Sequence, residues 1–229
     1  MVNSKRLLPA SLPADSSCSM CVGLDPAANS PLQQLLPPGT SRLIAQTERF
    51  AALPTFGSFV PGYVLVVPHA HVLSFGQLSL AELDEAEDLV RELSDRIAAA
   101  YGEPVLGFEY GNNLPGGRRI GHAHWHLLPS PANLAGWLAE QLDGQAIETL
   151  AKLPPTTETS YISVRDQQGR TTVYPVPNQP SQRIRLRRAV AMLDPRVEAD
   201  DWDFADRRFP ENIRRTVDDL ARTSAGGTS

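Results

Sequence analysis

Three of the five histidines in this 229-residue chain alternate within one short run, and this run limits what the segment around it can form. His122, His124 and His126 are separated by Ala123 and Trp125 and followed by two leucines. In a β-strand, alternate residues share a face about 6.6–6.8 Å apart. The sequence therefore predicts a strand over Ile120–Leu128 with three imidazoles on one face. Such a face can bind anions, transfer protons or ligate a metal, whereas solvent-facing histidines on an edge strand are the plainer alternative.

The segments before this run predict an antiparallel α+β arrangement. Ser79 and Glu82 have the spacing of a capping box, and apolar residues then recur at helical spacing from Leu80 to Tyr101, before Gly102. This pattern predicts one long helix. Strands rich in β-branched and aromatic residues are predicted on both sides of it, at Ser41–Phe50, Ser58–Val67 and Val105–Tyr110. Strand pairs flanking a single helix favour an antiparallel sheet over alternating βα units.

Four regions are expected along the chain: a loose leader (1–17), a first domain (18–130), a C-terminal extension (131–223) and a disordered tail (224–229). In the extension we expect a hairpin and helices, namely Tyr161–Tyr174 around Gly169, Leu134–Leu142, Ser181–Leu193 and Glu211–Ala221. The arginines at 183, 185, 187 and 188 are interpreted as a solvated helix face, with binding of a phosphorylated substrate or RNA as the alternative. The boundary near 130–155 is soft, which leaves open that the hairpin extends the first sheet.

Composition narrows the class of protein. The net charge of −5 gives no strong signal for nucleic-acid binding, because no overall basic field would attract phosphate backbones. No stretch approaches the roughly 18 apolar residues of a membrane-spanning helix, and the proline-broken start does not have the pattern of a signal peptide. We therefore expect a cytoplasmic protein without a membrane partner, whose two cysteines are thiols or metal ligands.

The histidine run and its surroundings resemble the histidine triad (HIT) superfamily of nucleotide hydrolases and transferases. Residues 122–128 fit its His-φ-His-φ-His-φ-φ pattern, where φ is apolar. Residues 61–71 are similar to its Pro-Gly-His-Val-Leu-Val-Pro-x-x-His segment, and residues 108–111 to Phe-Glu-His-Gly, with Tyr110 in place of histidine. The resemblance covers about residues 18–130. It implies a five-stranded antiparallel sheet with the long helix packed on it, often paired into a homodimer.

The resemblance also implies a reaction. His124 would be the nucleophile that attacks the α-phosphorus of a nucleoside phosphoramidate, a dinucleoside polyphosphate or a nucleotidyl adduct, and water would then release a nucleoside monophosphate. His126 would donate to phosphate oxygens, and His122 would orient the central ring or serve a structural site. No organic cofactor is implied. By position, five residues would contact the nucleotide-type substrate: Asn112, Asn113, Gly117, Arg118 and Arg119.

One departure leaves the function open. Many small relatives carry Gln-Ser or Gln-Thr where this chain has Arg118 and Arg119, so a neutral hydrogen-bonding pair is replaced by two fixed positive charges. The substitution favours a more anionic substrate. A nucleotidyltransferase or phosphorylase that passes the nucleotidyl group to phosphate or a sugar phosphate is therefore an alternative to the hydrolase. A non-catalytic nucleotide-binding protein is a second alternative.

The cysteines form a second candidate site. Some triad relatives, including uridylyltransferases, bind zinc through a Cys-x-x-Cys pair and two histidines, one of them the first of the triad. That resemblance implies a structural zinc site made of Cys18, Cys21, His122 and either His71 or His69. Unmetallated thiols and a redox-active pair are the alternatives, because a lone Cys-x-x-Cys is a weak signal.

Overall fold

The structure, a computed structural model, describes residues 18–25, 30–111, 121–155, 160–176, 184–198 and 208–225. Its strands are β1 (Ala45–Gln46), β2 (Phe50–Pro54), β3 (Val64–Pro68), β4 (Val105–Gly111), β5 (Trp125–Pro129), β6 (Gln145–Ile147), β7 (Ser160–Arg165) and β8 (Thr171–Val176). Its α-helices are α1 (Ser19–Leu24), α2 (Leu80–Tyr101), α3 (Leu134–Ala139), α4 (Leu186–Leu193) and α5 (Pro210–Ala225). Short 3-10 turns occupy Gln33–Leu35, Phe75–Gln77 and Leu150–Lys152.

The strands form one antiparallel sheet, which confirms the predicted α+β class, but the sheet is larger than predicted. Its order is β1-β2-β3-β5-β4-β7-β8-β6, eight strands instead of five. The extension supplies the additional strands, because β7 pairs with β4 in the register Glu109↔Ser163 and the β7–β8 hairpin then carries β6. The two ends of the sheet are the short strands β1 and β6, of two and three residues. The predicted hairpin of the extension therefore continues the first sheet.

The long helix begins and ends where the sequence predicts. The hydroxyl of Ser79 accepts from the amide of Glu82 and the Glu82 carboxylate accepts from the amide of Ser79, so the capping box is complete. At the other end Gly102 adopts a left-handed conformation, φ 65°, which glycine enters without steric cost. Leu83, Val90 and other apolar residues of α2 are buried against one face of the sheet.

Two strands begin later in the structure than the sequence predicts. The prediction of one strand over 41–50 is wrong, because residues 47–49 turn the chain from β1 into β2. Glu85 of α2 holds this turn by accepting from the Thr47 hydroxyl and the Arg49 amide. The next strand, β3, begins at Val64 rather than at Ser58. Gly62 precedes it with φ 83°, a left-handed conformation that a strand interior does not allow.

The two faces of the sheet pack against different parts of the chain. Trp125 and Leu127 of β5 face the α2 side. Leu128, together with Leu65 of β3 and Phe108 of β4, belongs to the opposite core. That core is completed by the segment before β1 and by the extension, with buried residues that include Met20, Leu24, Leu138, Val190, Ile213 and Val217. Because side chains alternate along a strand, His126 lies on this second face, under the extension.

A buried carboxylate fastens the extension at the end of β5. Asp194, 1% exposed, follows α4 and accepts from the Ser130 hydroxyl at 2.8 Å. It also accepts from the Arg196 guanidinium at 2.7 and 2.9 Å, and Arg196 donates in turn to the Pro129 carbonyl. Burial alone would raise the pKa of Asp194, but the hydrogen bonds from Arg196 and Ser130 outweigh it and hold the pKa below its ordinary value.

Within the part of the chain that the structure describes, no helix has the length and apolar character needed to cross a membrane. The predicted leader (1–17) and most of the predicted tail lie outside the described residues. The boundaries of the first domain and of the extension, placed at 130 and 223, remain predictions.

Candidate active site and metal cluster

The three histidines of the run do not share one strand face. Only His126 lies within β5, which begins at Trp125, so the prediction of a strand across the whole run is wrong. The amide of Ala123 donates to the Val72 carbonyl at 2.7 Å, which joins this part of the run to the segment after His71. His122 is thereby directed toward the cysteines, while His124 and His126 remain neighbours with ring centroids 4.8 Å apart.

A backbone carbonyl fixes the protonation pattern of His124. Its Nδ1 lies 2.8 Å from the carbonyl oxygen of His122, and because a carbonyl can only accept, Nδ1 carries the proton. In the neutral ring the lone pair is then on Nε2. The His124 side chain is only partly buried. The arrangement suits a nucleophile, since one ring nitrogen is oriented and the other has the electrons.

His126 is held in a much tighter setting. It is 7% exposed and stacks on Phe108 with ring centroids 4.4 Å apart and planes 14° apart. Its Nδ1 lies 2.9 Å from the hydroxyl of Tyr63. Burial raises the pKa of Tyr63 to about 12, so the phenol keeps its proton at neutral pH. His126 therefore has a fixed plane and a neutral hydrogen-bonding partner.

An arginine of the extension reaches this partner. The guanidinium carbon of Arg187, on α4, lies 5.2 Å from the centroid of the Tyr63 ring. Its Nη2 donates to the carbonyls of Phe56, at 2.7 Å, and Gly57. The interpretation of Arg187 as part of a solvated helix face is therefore wrong. Nothing in the sequence pointed to Arg187 as a neighbour of Tyr63.

Four predicted metal ligands come together. One ligand atom from each of Cys18, Cys21, His71 and His122 can be chosen so that all lie within 4.8 Å of one another. The Nδ1 of His122 is 3.7 and 3.4 Å from the two sulfurs, and the Nδ1 of His71 is 3.2 Å from the Cys21 sulfur. Sulfur and nitrogen ligands of a tetrahedral zinc ion are about 3.6 Å apart, given bond lengths of about 2.3 and 2.0–2.1 Å. The cluster fits a metal ion, and His71 rather than His69 is its member.

His122 is prepared to act as a ligand. Its Nε2 donates to the Pro68 carbonyl at 2.8 Å, so the lone pair is on Nδ1, which faces the cysteine sulfurs. Burial lowers the pKa of His122 to about 4, against the effect of the bond to Pro68, and the neighbouring His71 and His69 lower it further. The ring is therefore neutral near pH 7, as metal ligation requires.

The predicted substrate contacts lie outside the described residues. Asn112, Asn113, Gly117, Arg118 and Arg119 all fall within 112–120, between β4 and the triad. Their roles remain predictions.

The antiparallel α+β fold and the adjacent imidazoles of His124 and His126 are features that this chain shares with histidine-triad proteins. A family model described as the HIT domain matches residues 39–133, so the chain carries a HIT domain across these residues. The match ends shortly after β5 and leaves the strands β6 to β8 outside it.

Solved structures similar to the chain carry the same family name. A HIT family protein from Bacillus anthracis is 21% identical, with 38% of this chain and 62% of that chain covered and a TM-score of 0.34. A hypothetical histidine triad nucleotide-binding protein from Sulfolobus tokodaii is 26% identical, with 38% of this chain and 59% of that chain covered and a TM-score of 0.32. A HIT family hydrolase from Clostridium thermocellum is 18% identical, with 51% of this chain and 92% of that chain covered and a TM-score of 0.33. The chain thus spans about three-fifths of the first two. No curated protein matches it in sequence.

Proposed function

We propose that the protein is a nucleotide-processing hydrolase that works through a covalent intermediate on His124. The observation that carries the proposal is the hydrogen bond from His124 Nδ1 to the His122 carbonyl, which leaves the lone pair on Nε2 of a partly exposed ring. The HIT domain supports nucleotide processing as the class of activity. Two similar structures are named a nucleotide-binding protein and a hydrolase.

The proposed reaction has two displacements at one phosphorus. Nε2 of His124 attacks the α-phosphorus of a nucleoside phosphoramidate, dinucleoside polyphosphate or nucleotidyl adduct. A phosphorus–nitrogen bond to the ring forms as the bond to the leaving group breaks, and the leaving group departs with the bonding electrons and takes up a proton. Water then attacks the same phosphorus and loses a proton, the bond to Nε2 breaks, and a nucleoside monophosphate leaves. Two displacements avoid direct attack by water on the original substrate.

The test is detection of the adduct on the intact protein. We expect mass spectrometry to show one added nucleotidyl group shortly after mixing with adenosine 5′-phosphoramidate or a diadenosine polyphosphate. His124→Ala should lose both the adduct and turnover while keeping its circular dichroism spectrum, because the ring is only partly buried. His69→Ala is the matched control, since His69 lies outside the triad, and it should form the adduct normally. An active His124→Ala variant would show the assignment to be wrong.

A nucleotidyltransferase is the second candidate, and the Cys₂His₂ cluster favours it, since the resemblance to uridylyltransferases rests on such a set. The two candidates differ in what removes the nucleotidyl group from His124. Decay of the adduct in buffer alone supports the hydrolase, whereas decay only after addition of phosphate or a sugar phosphate supports the transferase. A protein that binds the nucleotides but never forms the adduct would instead be non-catalytic.

We further propose that the cluster of Cys18, Cys21, His71 and His122 holds a structural zinc ion. Two thiolates and two neutral imidazoles are ligands that zinc prefers, and a four-ligand set is typical of a closed structural site. When bound, zinc would cross-link the N-terminal segment to the segment that follows β3 and to the segment that precedes β5. His122 would then be fixed through its ring, and its carbonyl would hold His124.

Metal analysis tests the zinc proposal. The purified protein should contain about one zinc ion per chain, and Cys21→Ser should lose most of it. Ser163→Ala, a substitution in β7 away from the cluster, should keep the full content. A metal-free protein that takes up no added zinc would contradict the site, and the cysteines would then be plain thiols.

A further inference from the structure

Arg187 connects the C-terminal extension to the triad through a single side chain. Its Nη2 donates to the carbonyls of Phe56 and Gly57, which fixes the guanidinium beside the segment that leads into β3. From there the guanidinium carbon lies 5.2 Å from the centroid of the Tyr63 ring, so a fixed positive charge adjoins the phenol. Tyr63 is fully buried, so water does not compete for this contact.

The direction of the next hydrogen bond follows from the chemistry of the groups. A guanidinium carries a fixed positive charge and only donors, so beside the ring it favours negative charge on the Tyr63 oxygen. The phenol has one proton of its own, and Nδ1 of His126 lies 2.9 Å from its oxygen. A positive guanidinium beside the phenol polarises its O–H bond and strengthens its donation. Nδ1 of His126 is then the acceptor, and the proton of the neutral ring is on Nε2.

The plane of the ring is set independently. His126 stacks on Phe108 with ring centroids 4.4 Å apart and is 7% exposed, so the plane of the ring is held; a 180° flip would keep the stacking but lose the contact of Nδ1 with Tyr63. Its backbone is paired on both sides, with Leu65 of β3 and Phe108 of β4. Stacking therefore decides where the ring lies, and the hydroxyl of Tyr63 decides which nitrogen carries the proton.

We propose that Arg187 is a positioning residue for the triad, which acts through Tyr63 to keep the proton of His126 on Nε2. In this tautomer His126 can donate a hydrogen bond to a phosphate oxygen of a substrate bound at His124. The proposal deepens the function proposed above and rests on it for the consequence in turnover, but the tautomer of His126 can be measured without any substrate. It assigns a role to the extension, which supplies a residue outside the matched HIT domain.

Four substitutions distinguish a role of Arg187 in positioning His126 from a role in holding α4 against the sheet. Tyr63→Phe removes only the hydroxyl and keeps the ring that packs edge-on against Phe59 at 5.4 Å. Arg187→Gln removes the charge and keeps an amide that can donate to nearby carbonyls, whereas Arg187→Lys keeps the charge without the forked donors. Arg188→Gln is the matched control, because Arg188 is exposed on the same helix.

The first measurement is the tautomer of His126, read from long-range proton–nitrogen NMR spectra of the ring. The chain has only five histidines, and the His126 signals are assigned by comparison with His126→Gln. We expect the wild-type protein and Arg188→Gln to show the proton on Nε2. Tyr63→Phe and Arg187→Gln should both populate the other tautomer, Arg187→Lys should do so less, and Tyr63→Phe combined with Arg187→Gln should match Tyr63→Phe alone.

The second measurement is turnover of adenosine 5′-phosphoramidate. We expect kcat to fall about three- to tenfold in Tyr63→Phe and in Arg187→Gln, the loss that one hydrogen bond supports, with little change in KM. Arg188→Gln should be unchanged. A fall in thermal stability alone would not produce this division between kcat and KM.

The NMR spectra of the Arg187 variants decide whether Arg187 positions His126. A wild-type tautomer of His126 in soluble Arg187→Gln would overturn the proposal and leave Arg187 as a docking residue for α4. If Arg187→Gln does not fold, the spectrum of Arg187→Lys decides in the same way. A wild-type protein without adduct or turnover would refute the proposed function, whereas the spectra would still decide whether Arg187 positions His126.

Discussion

Asp194 is the residue whose loss should most weaken the attachment of the extension to the HIT domain. Its carboxylate is 1% exposed and accepts from Ser130, from the Arg196 amide and from two nitrogens of the Arg196 side chain. Asp194→Ala would leave the Ser130 hydroxyl buried and would remove the nearer of two carboxylates that compensate Arg196, the other being Glu103 at 3.3 Å. We expect the extension to separate more easily from the end of β5 as a result.

The magnitude follows from the burial of the two charges. Removing one partner of a buried ion pair costs about 3–5 kcal/mol. The Arg196 side chain is 38% exposed, so water can solvate part of the charge that remains, and the lower limit applies. A loss of about 3 kcal/mol corresponds to a melting temperature lower by roughly 6–12 °C for a chain of this size.

The assay is thermal and urea unfolding followed by circular dichroism, at one fixed zinc concentration, because a bound metal would shift both transitions. Glu92→Ala is the control, since it removes a pair with Arg96 in which the Glu92 side chain is 60% exposed, and such pairs contribute about 0.3–0.5 kcal/mol. An Asp194→Ala protein that melts within about 2 °C of the wild type would refute the reasoning. The contacts of Asp194 would then add nothing beyond those that water provides.

Two further predictions concern conditions rather than single contacts. The difference in unfolding free energy between the wild type and Asp194→Ala should be constant near neutrality and should shrink as the pH falls below about 4. The reason is that the pKa of Asp194 is lower in the folded protein than in the unfolded chain. The stability that its carboxylate contributes is therefore present above the ordinary pKa and is lost as the pH falls through the pKa of the folded protein. A difference between the two proteins that persists at the lowest pH would contradict this. A zinc chelator should lower the melting temperature of the wild type by several degrees and leave that of Cys21→Ser unchanged, as measured by thermal scans; equal responses would speak against a structural ion.

Periodic features of the sequence predicted the fold well, because they depend on local physics. The helix α2 was predicted from its capping box and apolar spacing, and the hairpin β7–β8 from the turn at Gly169. The size of the sheet could not be predicted in the same way. Pairing of β7 with β4 joins residues about 50 positions apart, such as Glu109 and Ser163, and nothing in the strand sequences specifies that partner.

The candidate site was predicted only in part, for a similar reason. The motif predicted the neighbouring imidazoles of His124 and His126, and the family resemblance predicted the four residues of the metal cluster. The alternation of histidines suggested one continuous strand, but the bond from Ala123 to Val72 and the contacts of His122 with the cysteines prevent it. Arg187 was not recognisable, because its contacts with Phe56 and Tyr63 depend on how α4 packs.

The short strands at the two ends of the sheet restrict how copies of this protein can associate. Over the residues that the structure describes, the end strands β1 and β6 offer a neighbouring molecule two and three residues to which it could add a strand, and β8 extends three residues beyond its pairing with β6. Among the described residues, the longer edge of β4 is already covered by the chain's own hairpin. We therefore predict that a homodimer of this protein is joined mainly by complementary side-chain surfaces, so that its affinity responds to surface substitutions more than to changes in strand propensity.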